Sequence, residues 1–97
     1  MTDDIAIAHE AEAIHGRYVT RLDSGEAAEM TYVIRAPGVR DFNHTFVPDA
    51  FRGTGIAARL MARAIADAKT EGFRIVPTCS YVAAQFRRHP EWSEFKA

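Results

Sequence analysis

An α+β fold, with an antiparallel β-meander followed by a long helix, a strand and a short helix, is what this sequence predicts. Three observations carry the prediction. Apolar and polar residues alternate through much of the first half. From residue 56 to about residue 70 the apolar positions recur at helical spacing instead. The breaks between these segments are short and built from Asp, Ser, Gly and Pro.

Residues 16–22 place Tyr18, Thr20 and Leu22 on one side of a first clear strand. Asp23, Ser24 and Gly25 then close a hairpin. Residues 27–36 carry Met30, Tyr32 and Ile34 on one face and Thr31, Val33 and Arg35 on the other. Pro37 and Gly38 make the next turn, and residues 40–47 form a third strand with Phe42, His44 and Phe46 sharing one side. Links this short join antiparallel strands. A further strand is expected around residues 5–8. Residues 56–70 form the long helix, with Ile56, Leu60, Ala64 and Ala68 in its apolar stripe and Gly72 just past its end. Residues 73–76 read as a short strand stopped by Pro77. Ser80 is the expected cap of a second helix over residues 81–88, with Pro90 beyond it. The helical crossover predicts that the last strand lies parallel to the third.

The 97 residues make one domain, spanning 1–97, with a core thin enough that either a monomer or a weak homodimer is expected. Hydrophobic residues at 47% and charged residues at 26% fit a globular chain. The net charge of -1 argues against nucleic acid as a partner, since the only basic run is Arg87, Arg88 and His89. The single cysteine, Cys79, excludes an intrachain disulfide and suits a reducing compartment. With an acidic N-terminus and no apolar run near the ~20 residues of a membrane helix, the expectation is a cytoplasmic protein without a membrane partner. No metal is expected, because CxxC is absent and the four histidines lack close helical spacing.

The chemistry points to Arg52, Gly53, Thr54 and Gly55, set between a strand and the long helix. Glycines let a backbone turn sharply and approach a ligand. The helix behind them offers unpaired N–H groups and the positive end of its dipole, a place suited to a diphosphate. A tight structural turn explains the same glycines. A Walker A loop is excluded, because Gly55 is followed by Ile56 rather than Lys. Gly53, Gly55 and Ala58 satisfy GxGxxG/A, but three antiparallel strands precede the turn and no acid follows the next strand, as a dinucleotide fold requires.

The run His44, Thr45, Phe46, Val47, Pro48, followed by Phe51, Arg52, Gly53, Thr54, Gly55, Ile56, Ala57 and Leu60, resembles motif A of the GNAT N-acetyltransferase superfamily. Residues 77–82 (PTCSYV) and 88–91 (RHPE) are similar to its small single-domain, YjdJ-type branch. The resemblance covers about residues 17–91. It implies a GNAT-like fold and an N-acetyltransferase that uses acetyl-CoA as cosubstrate and an amine as acceptor, by direct attack in a ternary complex. Backbone N–H groups of Arg52, Gly53, Thr54, Gly55, Ile56 and Ala57 would hold the diphosphate, and the strand ending at Val47 would pair with the pantetheine arm. Two positions depart from the pattern: Ala50 opens the motif where Gln or Arg is common, and Phe46 stands where the branch often has Glu. These departures keep a non-catalytic CoA-binding module as an alternative; a purely structural glycine turn would instead suit a small protein-interaction or RNA-binding domain, the near-neutral charge arguing against RNA.

Acyl transfer from a thioester to an amine needs a base for the amine and an acid for the departing thiolate. Cys79, just before the second helix, is an acid, a nucleophile or a small buried packing residue. His44 is the general base by residue type, or a strand histidine held by hydrogen bonds. Thr45 and Tyr81 are assigned to the substrate side, Tyr81 with a second role as acid or packing residue. Arg59 reaches a CoA phosphate or remains solvated.

Overall fold

The computed structural model describes residues 6–97. Strands β1 (Ala8–Ala11), β2 (His15–Arg21), β3 (Ala27–Ala36) and β4 (Val39–Phe46) are followed by a 3-10 turn (Asp49–Phe51) and helix α1 (Ile56–Glu71). Strand β5 (Arg74–Val76), helix α2 (Ser80–Arg88) and a 3-10 segment (Pro90–Phe95) complete the chain. The five strands form one sheet in sequence order, antiparallel until β5, which joins β4 in parallel. The α+β meander and the parallel last strand agree with the sequence reading. The early strand lies at residues 8–11; residue 5 of the expected 5–8 segment is outside the described residues.

The core forms where the apolar stripe of α1 meets the inner face of the sheet. Tyr18, Met30, Tyr32 and Phe42 from the strands meet Leu60, Met61, Ala64 and Ala68 from α1, and none is more than 1% exposed. Ile75 and Val82 bring β5 and α2 into the same cluster. Each large side chain removed from water here contributes about 1.5–3 kcal/mol. The Tyr32 ring lies over Gly16, where a Cβ would sit 2.7 Å from Cζ of the ring. That close approach is why β2 carries glycine beneath a tyrosine. The chain end closes the far edge, as the Ala97 N–H donates to the Ile75 carbonyl at 2.8 Å.

Two local expectations are corrected. Phe42, His44 and Phe46 do not share a face. Thr31 pairs with His44 and Tyr32 with Phe42, so Asn43 is an extra residue forming a β-bulge. The bulge shifts the alternation by one. Phe42 stays on the inner face, Thr45 joins it opposite Met30, and His44 and Phe46 turn to the outer face opposite Thr31 and Glu29. Ser80 is the first residue of α2 rather than its cap; Cys79 is the cap, in extended conformation and without a side-chain capping bond.

Candidate functional site

The bulge and the parallel pairing together open a gap. β4 and β5 pair only from Val39 with Arg74 to Asp41 with Val76. Pro77 then interrupts β5, because it has no N–H to continue the ladder. One more bond follows, from the Cys79 N–H to the Phe42 carbonyl at 2.9 Å. Beyond it, residues 44–46 of β4 pair with β3 alone among the described residues. The exposed edge of β4 can accept an extended, amide-bearing chain.

At the end of this gap lies the glycine turn. Its first part is braced by the Phe51 N–H to the Pro48 carbonyl at 2.9 Å and the Arg52 N–H to the Asp49 carbonyl at 3.2 Å. The Thr54 N–H and hydroxyl both donate to the Phe51 carbonyl, at 3.3 and 2.5 Å. Gly53 and Gly55 have φ of 80° and 85°, in the left-handed region that side chains disfavour. Gly55 is the cap of α1 and offers no side chain to its first turn, and that turn contains no acid. The helix ladder begins at the Arg59 N–H, which donates to the Gly55 carbonyl at 3.1 Å. The N–H groups of Ile56, Ala57 and Ala58 therefore have no acceptor within the helix. They point where the helix dipole favours an anion.

Val47, Arg52, Gly53, Gly55, Ile56 and Ala57 border one pocket of about 240 Å³, with Tyr81 of α2 on its wall. Six of the seven residues assigned to the cosubstrate thus meet around one space. Thr54, the seventh, lines an adjoining pocket with Arg21 and Arg59. Arg52 is well exposed and pairs with Asp49 at 3.1 Å, an exchangeable surface ion pair.

The side chains proposed for chemistry divide. The Cys79 thiol donates to Thr45 Oγ1 at 3.4 Å, so the bulge and the cap of α2 bring these two together beside the gap. Burial raises the Tyr81 phenol above its ordinary pKa, with the Arg88 guanidinium acting in the opposite direction, so the hydroxyl is protonated at neutral pH. His44 stands on the outer face, exposed and directed away from the Cys79–Thr45 contact. Asn43 escaped sequence reasoning: its own residue type carries no bulge signal, and the two-for-one pairing becomes visible only against β3. His89 pairs with Glu91 at 2.9 Å and stacks on Trp92 with centroids 3.9 Å apart, which makes the end of α2 a self-contained cluster. Among the described residues, no group of three or more His, Cys, Asp or Glu could hold a metal, and no helix is long and apolar enough to cross a membrane.

Parallel strands that part beside a glycine-capped helix form a site suited to an anionic, amide-bearing ligand. The chain belongs to the GCN5-related N-acetyltransferase family, whose model matches residues 17–95. Among curated proteins it is similar to Protein NATD1 of Bos taurus, 34% identical over 65 residues, or 67% of this chain. Those residues span 58% of that relative's length. Among solved structures it is similar to the solution structure of a GCN5-like protein from Staphylococcus aureus, with a TM-score of 0.71 at 17% identity, over 99% of this chain and 91% of that one. At that identity the likeness shows the shared fold.

Proposed function

We propose that the protein transfers an acetyl group from acetyl-CoA to an amine by direct attack in a ternary complex. The observation that carries this reading is the set of open N–H groups at Ile56, Ala57 and Ala58, beside two left-handed glycines and at the end of an unpaired strand edge. An anion suits the first feature, and the amide-rich arm of CoA suits the second. Gly53, Gly55, Ile56 and Ala57 hold the diphosphate, and Val47 and the edge of β4 guide the pantetheine arm towards Thr45 and Cys79.

In the reaction the amine nitrogen bonds to the thioester carbonyl carbon as the carbon–sulfur bond breaks. The amine gives up a proton and the CoA thiolate takes one, so two proton carriers suffice. Tyr81 lines the pocket and Cys79 contacts Thr45 beside the gap, and both serve as donors to the leaving sulfur. Thr45 orients the Cys79 thiol. His44, on the outer face, takes the amine proton, which places the acceptor on the side of the sheet away from α1.

Calorimetric titration with acetyl-CoA, using dephospho-CoA and NADH as controls, tests the first half of this reading. Release of free CoA thiol in the presence of amines tests the second. The expected results are one-site binding of acetyl-CoA and amine-dependent thiol release. A folded protein that does not bind acetyl-CoA overturns the proposal. Tight binding without turnover across an amine panel makes the chain a CoA-binding module instead.

A further inference from the structure

The contact between Thr45 and Cys79 closes the channel along which the pantetheine arm is directed. The pocket beside the glycine turn reaches Val47 at the end of β4 and Tyr81 on α2, and its lining stops short of both residues of the contact. Past that point the Cys79 thiol lies 3.4 Å from Thr45 Oγ1, which bridges β4 and the cap of α2. A methylene passing between two atoms needs them about 7–8 Å apart, twice an ordinary carbon contact distance. The bridge therefore leaves no passage between the two side chains.

The Cys79 backbone is held on both sides: its N–H donates to the Phe42 carbonyl at 2.9 Å, and its carbonyl accepts from the Ala83 N–H at 2.9 Å. Thr45 sits opposite Met30 of β3 and is β-branched, so its side chain has few rotamers. On the core side of the pair, Met30, Phe42 and Val82 have no exposed surface, and Cys79 packs against the cluster to which they belong. A close-packed core takes in extra methylenes only with strained rotamers or backbone shifts. The remaining way out leads through the gap to the outer face, where His44 is assigned the amine proton. An acyl tail directed there occupies the place of the amine.

We propose that Thr45 and Cys79 form a stop that sets the length of the transferred acyl group, admitting two carbons and rejecting each further methylene. The proposal rests on the acetyltransferase reading and adds the residues that determine its acyl-chain specificity. Of the pair, Thr45 is the better probe, because Cys79 is also assigned a proton. Thr45→Ala removes Oγ1 and Cγ2 and opens the stop on the β4 side. Thr45→Val keeps the size and branching and removes only the hydroxyl, so it separates the stop from the hydrogen bond to Cys79.

The test compares acetyl-CoA, propionyl-CoA and butyryl-CoA on the whole protein, by calorimetry and by thiol release with one amine. In the wild type kcat/KM should fall about tenfold per added methylene, and butyryl-CoA should bind more weakly than acetyl-CoA. Thr45→Ala should raise the butyryl-to-acetyl ratio of kcat/KM about tenfold and bind the two thioesters equally. Thr45→Val should keep the wild-type ratio whatever its overall rate. Loss of the hydroxyl affects every thioester alike in both variants, so it cancels in the ratio. Equal kcat/KM and affinity for acetyl-CoA and butyryl-CoA in the wild type, an unchanged ratio in Thr45→Ala, or a ratio relaxed as far in Thr45→Val would each overturn the proposal. If all three thioesters bind and react alike, the acetyltransferase reading stands and the stop falls. If none binds to the folded protein, that reading falls and the stop falls with it.

Discussion

Replacing Gly55 with valine separates the ligand role of the turn from its structural role. Gly55 has φ 85° and ψ 7° at the start of α1. A Cβ there meets no atom within 4 Å, so the added side chain branches into open space. Its cost is conformational, about 1–2 kcal/mol for a side chain in the left-handed region and more for a β-branched one. For a domain of this size that lowers Tm by roughly 5–15 °C. The backbone can relieve the strain by rotating the peptides on either side of residue 55, which turns the Ile56 N–H away from the pocket. Each charge-assisted hydrogen bond lost to the diphosphate is worth about 1.5–3 kcal/mol, or about a ten- to hundredfold loss of acetyl-CoA affinity. Gly25 is the matched control: it has φ 89°, has equally open surroundings, and sits in the β2–β3 turn. Calorimetry and thermal melts on both variants should show similar destabilisation but a loss of affinity at residue 55 alone. A folded Gly55→Val protein with wild-type affinity, or equal losses in both variants, would refute the reasoning.

Two further outcomes are expected. Cys79→Ala should lower kcat by about a hundredfold while leaving acetyl-CoA affinity unchanged, the signature of a lost proton donor; an unchanged kcat would make the thiol a packing group. Stability should rise with pH below 6.5 through His9. Burial, with the Arg40 guanidinium adding to it, holds the His9 pKa below its ordinary 6.5, so the unfolded chain binds a proton that the native state does not. His9 contributes fully above 6.5, and the contribution is lost as pH falls towards the folded value. Urea denaturation between about pH 5 and 7.5 should show this slope flattened in His9→Gln, and an unchanged slope would place the pH dependence elsewhere.

The meander, the long helix and the glycine turn were all legible in the sequence, because each depends on local chemistry. Alternation in residues 27–36 dictates a strand with one buried face, and β3 has those bounds. The Ile56, Leu60, Ala64 and Ala68 stripe dictates a helix lying on that face, and Gly72 ends it in the left-handed conformation with φ 83°. Gly53 and Gly55 marked a tight turn, and their left-handed angles explain why no other residue type serves as well. Tertiary structure alone decided which side chains meet. The bulge at Asn43 arises from the register of β4 against β3, and a single extra residue inverts the faces of everything after it. It sends His44 outward and brings Thr45 to Cys79, a residue 34 positions away. Local patterning carries the period of a strand but not its partner. For that reason the cosubstrate turn could be found by reading along the chain, while the Cys79–Thr45 contact emerged only once the strands were paired.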